Sequence, residues 1–179
     1  MLATSKEIMP QLVNESMSKL VYLGSGVFEG LSRESALKAL ELTGGKFPTM
    51  YDTPLGFRHG PKSFLDQQTM IVVYLYSNPY TRKYDLDMLK ELFVEKNRGP
   101  LVAISQSADP VVAENCDTHI SISSNENLED ISLAFPYVIF AQLFAYEKSL
   151  NSGISPDNPS PDGVINRVVQ GVQIYPYQG

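Results

Sequence analysis

Short apolar runs separated by stretches of helical periodicity dominate the sequence, and they restrict the chain to few architectures. Residues 69–76, TMIVVYLY, form a continuous β-branched and aromatic run with no face suited to water. Such a run predicts a strand buried on both sides. LVYL at 20–23, LVAIS at 101–105 and THISIS at 118–123 read the same way, and KFPTMYD adds a second, short strand early in the chain. Between them the spacing predicts helices over 27–43, 81–97 and 130–150, with shorter helical turns after Pro61 and within SADPVVAENC. In the first of these helices Leu31, Ala36, Leu37, Ala39 and Leu40 are expected near one side, and Gly44 and Gly45 end it; in the next, Leu86, Leu89, Leu92 and Phe93 form the stripe. Strands buried on both faces and alternating with helices build a parallel sheet covered on both sides, with ligands at the C-terminal strand ends. The expectation is a three-layer α/β/α sandwich around a parallel sheet of about five strands.

The chain has 179 residues, 43% of them hydrophobic, which suits one domain with an adequate core and excludes a wholly disordered chain. A net charge of −6 and a pI near 4.9 have the wrong sign for sequence-independent attraction to nucleic acid, although a local phosphate site remains compatible with it. A lone cysteine, Cys116, and two widely separated histidines, His59 and His119, give neither a disulfide nor a metal-ligand cluster, so no metal or cofactor is expected. Lys6, Glu7, Glu15 and Lys19 interrupt the first twenty residues, which lack the apolar core of a signal peptide. Residues 133–146 fall short of the roughly 20 needed to cross a bilayer and include Pro136 and Gln142, so they read as a core helix. A cytoplasmic protein without a membrane anchor is the expectation. The tail, 151–179, carries Pro156, Pro159, Pro161 and Pro176 and too little periodicity for a long element; it is expected to wrap the domain or a partner chain.

Four places hold residues suited to chemistry. Gly24, Ser25 and Gly26 join a strand to a helix, where N–H groups can face an anion or polar ligand; the alternative is a plain tight turn, since neither a third glycine nor a Walker lysine follows. Glu34, Lys38 and Glu41 stand at i, i+4 and i+7, on one narrow helix face. That stripe is either a solvated ion-pair ladder or, if partly buried, a carboxylate placed for proton transfer. His59, in FRHGP, sits ahead of a helix start, whose positive end favours the neutral ring that can pass protons; the alternative is a surface or capping residue. Arg58 and Lys62 flank it and either hold an anion or are solvated. Ser105, Gln106, Ser107 and Asp109 follow a strand end, as ligand-binding residues or turn formers, and His119 reads as structural.

The run from Glu34 through Lys38 to Glu41, followed by His59-Gly60-Pro61, resembles the second sugar-isomerase (SIS) repeat of the aldose/ketose isomerases that act on phosphosugars. VYLGSGVFEGLSRESALKALELTGG, FRHGPKSF and NRVVQGVQIYPY are most similar to the tagatose-6-phosphate ketose/aldose isomerase family, also described as galactosamine-6-phosphate deaminase/isomerases. The resemblance implies that Glu41 is the base moving a proton between C1 and C2 of the opened sugar. It places Lys38 and Glu34 around that base and gives His59 the opening of the ring, with Ser25, Gly26, Glu34 and Arg58 binding substrate. In the related isomerase domain of glucosamine-6-phosphate synthase a tail lysine reaches the sugar; Gln170 stands at the matching place here, which implies no Schiff base there. Relatives carry two SIS repeats, with the phosphate-holding Ser/Thr-rich loop in the first. The resemblance therefore implies that residues 1–179 are one SIS domain, the second of two. Such a unit contributes half an active site for tagatose 6-phosphate or galactosamine 6-phosphate, as a homodimer or paired with a first repeat. The competing reading is a non-catalytic phosphosugar-binding or dimerisation module.

Overall fold

The computed structural model describes residues 2–13, 16–122, 128–164 and 171–177. Helix α1 (Leu2–Leu12) leads into β1 (Lys19–Gly24), α2 (Val27–Leu42), β2 (Thr49–Asp52) and a single-turn helix α3 (Pro54–Phe57). A 3₁₀ turn (Pro61–Phe64), β3 (Thr69–Tyr74), α4 (Thr81–Val94), β4 (Leu101–Ser105), the short α5 (Pro110–Ala113), β5 (Thr118–Ser121) and α6 (Asp130–Asn151) follow. The strands form one five-stranded parallel sheet in the order β2-β1-β3-β4-β5. The expected three-layer architecture is therefore present. In this order the chain reverses direction across the sheet between β1 and β3, the crevice where such folds hold ligands.

Alternation along the central strands divides the apolar residues into two cores. Leu20 and Tyr22 of β1, with Met70, Val72 and Tyr74 of β3, face α1, α2 and α6. Val21 and Leu23, with Ile71 and Val73, face Phe57, Leu65 and the α4 residues Met88, Leu89 and Leu92. Every residue of β3 is buried, as its unbroken apolar run requires. On the α2/α6 side Tyr22, Tyr74 and Tyr137 stack with ring centroids 5.8 Å apart in each step.

Several details differ from the expected ones. Helix α2 buries Phe28, Leu31, Ser32, Ser35, Ala36 and Ala39, leaving Leu37 and Leu40 outward at 42% and 38% exposure. Ser35 tolerates this rotation: its Oγ is 2.7 Å from the Leu31 carbonyl and 2.9 Å from the Tyr74 hydroxyl, so its polar atom is satisfied inside the core. In α4 the buried stripe is Asp85, Met88, Leu89 and Leu92, and Phe93 lies outward beneath the Arg98 guanidinium. The stretch 52–61 contains α3, whose first turn is capped by Thr53 Oγ1 accepting the Gly56 N–H. The tail turns at Gly153 and returns along the end of α2, where the Pro159 carbonyl approaches Gly44; Arg167 and Gln170 lie outside the described residues. Among the described residues no helix is long and apolar enough to cross a membrane.

The turn from β1 into α2 needs glycine at two points for different reasons. Gly26 has φ 56°, in the left-handed region. Gly24 is sterically confined, since a Cβ there would stand 2.5 Å from the Phe28 carbonyl oxygen. Gly24→Ala must push α2 away from the strand, and we expect it to destabilise the domain by about 1–3 kcal/mol in urea unfolding. An unchanged midpoint would contradict this packing.

Candidate functional site

The stripe on α2 is assembled as its spacing requires. Lys38 Nζ lies 2.8 Å from Glu41 Oε2 and 3.5 Å from Glu34 Oε1. The three side chains are 32%, 33% and 49% exposed for Lys38, Glu41 and Glu34, so the stripe is half-buried within one chain. The hydrogen bond to Glu41, reinforced by the charge of Glu34, holds the Lys38 ammonium above the usual lysine range despite some burial. Glu41 is thus a carboxylate poised against a fixed cation, with outward Leu37 and Leu40 beside it.

His59 is exposed and belongs to the other layer. Its segment leaves the C-terminal end of β2 and packs through Phe57 and Leu65 into the core shared with α4, whereas α2 packs on the opposite face of the sheet. No hydrogen bond or ion pair joins Glu41 to His59 among the described residues. The helix that follows His59 is a single 3₁₀ turn of four residues, too short for a substantial dipole at the ring. Arg58 and Lys62 both reach Glu91: Arg58 Nε donates to Glu91 Oε2 at 2.9 Å, and Lys62 Nζ to Glu91 Oε1 at 2.8 Å.

At the switch point the Ser25–Gly26 turn meets a residue that composition alone does not single out. Ser25 Oγ donates to Asp85 Oδ1 at 2.5 Å, and the Tyr76 N–H donates to Asp85 Oδ2 at 3.0 Å. Asp85 is fully buried, and that burial raises its carboxyl above the ordinary range, with the two hydrogen bonds pulling the other way. One residue on, the Ser77 N–H and hydroxyl both donate to the Asp130 carboxylate, at 3.0 and 2.8 Å. Donors at the end of β3 that would suit a phosphate are therefore taken by the chain's own carboxylates, with Glu129 and Asp130 lining the same crevice. The available signal for Asp85 was an acid falling on the apolar stripe of α4, three residues before Met88 and four before Leu89.

Beyond β4, Ser105 Oγ donates to the Ser107 carbonyl and lies 2.7 Å from His119 Nε2, which makes His119 a structural strut between β4 and β5. Burial lowers the His119 ring from its ordinary value. Asp109 caps α5 and pairs with Arg82 Nη2 at 2.8 Å, beside a small crevice that Gln106 and Ser107 also line. Among the described residues no group of His, Cys, Asp or Glu is arranged to hold a metal ion.

Because its folded value is raised, Asp85 contributes stability that is fully present below its unfolded value and is lost as pH rises through the folded one. Asp85→Ala leaves the Ser25 hydroxyl and Tyr76 N–H without their acceptor, and the loss should be about 1–3 kcal/mol per donor. Urea titrations across acid to neutral pH should show the gap between native chain and variant narrowing as pH rises. A gap that is flat, or that widens with pH, would contradict this assignment.

Comparison with known proteins adds the family. Residues 14–152 match the model of the SIS domain. The chain is 48% identical over 160 residues to the D-galactosamine-6-phosphate deaminase AgaS of Escherichia coli O157:H7, covering 89% of this chain and 41% of that protein. It is 45% identical to a candidate tagatose-6-phosphate ketose/aldose isomerase from Clostridium novyi NT, with a TM-score of 0.90, covering 96% of this chain and 44% of that one. The tagatose-6-phosphate ketose/aldose isomerase from Escherichia coli is 38% identical with a TM-score of 0.79, covering 99% of this chain and 47% of that one. The chain thus spans less than half the length of these relatives. The matched region contains all five strands and the Glu34, Lys38, Glu41 and His59 positions, and the chain belongs to the SIS domain family.

Proposed function

We propose that this chain is one SIS unit, the second of two, in a phosphosugar aldose/ketose isomerase acting on galactosamine 6-phosphate or tagatose 6-phosphate. The observation that carries the reading is a Glu41 carboxylate held against Lys38 on an uncovered helix face, in a chain similar to proteins named for that chemistry. Glu41 takes the proton from C2 of the opened aldose to give an enediol, or an enolamine when C2 bears nitrogen, and returns it to C1. His59 moves the proton to the ring oxygen as the C1–O5 bond breaks. From the enolamine, tautomerisation to a C2 imine and addition of water release ammonia and leave the ketose. Lys38 holds the Glu41 carboxylate in place at 2.8 Å and shields the developing oxyanion, and Glu34 orients Lys38.

The geometry also supports an incomplete site. Glu41 and His59 lie on different layers of one chain, and the phosphate-suited donors at the switch point are occupied by Asp85 and Asp130. A second SIS unit, either another copy or a first repeat, supplies the phosphate cradle, and His59 reaches the sugar beside Glu41 from another copy of this chain. Val27 and Leu37 of α2, with Ile131 and Phe135 of α6, are outward apolar residues on the Glu41 layer that such a unit would cover. On this reading the protein works as a dimer or two-unit chain in the cytoplasm, where sugar phosphates are consumed.

The test is turnover of galactosamine 6-phosphate, read as ammonia and ketose 6-phosphate, by the chain alone and by the chain joined to a complementary SIS unit. Little turnover is expected from the chain alone. In the joined protein Glu41→Gln should lower kcat by about 10²–10⁴ with substrate binding retained, and His59→Asn should depress turnover of the ring-closed substrate most. Turnover undiminished in Glu41→Gln would overturn the catalytic reading and leave a binding module.

A further inference from the structure

We infer that Glu91 of α4 is a positioning residue for His59, acting through a two-pronged clamp on the residues either side of it. The catalytic consequence rests on the role proposed for His59; the clamp itself does not. His59 is exposed, and its position depends on how firmly its backbone is held. Phe57 and Leu65 anchor the two ends of the segment in the core. Between them the backbone bonds are short and local around the histidine, His59 N–H to the Gly56 carbonyl at 3.0 Å and Ser63 N–H to the Gly60 carbonyl at 2.9 Å, and beyond it the Phe64 carbonyl accepts Lys19 Nζ at 2.9 Å. Gly60, at φ 128°, is a conformation that other residues rarely adopt and so marks a sharp bend beside the histidine.

Across this bend one carboxylate holds both flanks. Glu91 Oε2 accepts from Arg58 Nε at 2.9 Å, one residue before His59, and Glu91 Oε1 accepts from Lys62 Nζ at 2.8 Å, three residues after it. Glu95, at the C-terminal cap of α4, takes a further contact from Lys62 at 3.3 Å. The Lys62 hydrogen bond, and then the charges of Lys62 and Arg58, keep the Glu91 carboxyl below the usual glutamate range, so the clamp stays ionised at neutral pH. Glu91 is itself set on α4, whose Met88, Leu89 and Leu92 are fully buried, so the clamp ties the His59 bend to a rigid element. A partly exposed ion pair contributes little to global stability. Its loss should therefore appear as disorder of the bend and not as unfolding of the domain.

Hydrogen exchange on the full chain, native and Glu91→Gln, reads the clamp directly. Exchange of amides in 57–65 should rise about tenfold in the variant, with β1, β3 and α2 unchanged and Glu91→Asp intermediate. In the joined two-unit protein, Glu91→Gln should lower kcat by about 10- to 100-fold with KM within about twofold, and Glu91→Asp should recover part of the loss. Unchanged exchange at 57–65 would overturn the clamp, and raised exchange with unchanged kcat would overturn its role in positioning His59. If the joined protein has no turnover even with Glu91 in place, the isomerase reading fails while the exchange result still decides the clamp.

Discussion

Burial of the central strands on both faces organises the molecule. Once β1 sends Leu20 and Tyr22 to one core and Val21 and Leu23 to the other, the chain on either side of β2 must be shared between two layers. Helix α2, before β2, covers one face, and the 53–65 segment, after it, covers the other. The residues suited to proton transfer at Glu41 and His59 are separated as a direct consequence. On the proposed function, a carboxylate and an imidazole on different layers each find their complement in a second unit, and the division of the site then follows from the topology of the sheet.

The same logic governs charge at the switch point. A parallel sheet normally presents free N–H groups there, yet Tyr76 and Ser77 give theirs to Asp85 and Asp130. Two carboxylates of the chain thereby occupy positions that an anionic ligand would use, and Ser25 is drawn to Asp85 instead of standing free. Lys38, in contrast, has its charge matched by carboxylates at the surface, close to uncovered leucines. The acidic crevice ties the chain to itself, and the half-buried Lys38 stripe is the one to which the proposed function assigns chemistry.

Much of this architecture was legible in the amino-acid sequence because the signals are collective. The unbroken run at 69–76 and the glycines at 24 and 26 specified a buried strand and a tight turn whatever their neighbours did. The orientation of α2 was not legible, because the partner that lets Ser35 be buried, the Tyr74 hydroxyl, lies far away in the chain. The Asp85 and Glu91 interactions were hidden for the same reason: each joins α4 to a segment it meets only in the folded sheet. The spacing of Glu34, Lys38 and Glu41 was readable as one helix face, but its half-buried state was not, and a chemical role for these residues and His59 came from resemblance to phosphosugar isomerases.

A structure of the two-unit protein with galactosamine 6-phosphate bound, at a resolution that places the sugar carbons, bears most directly on the division of the site. The account predicts that the Glu41 carboxylate of one SIS unit and an imidazole from another flank the same sugar, with the phosphate held away from the Tyr76–Ser77 turn. A sugar enclosed by Glu41 and His59 of a single unit, or a phosphate seated on Ser77 in place of Asp130, would contradict it.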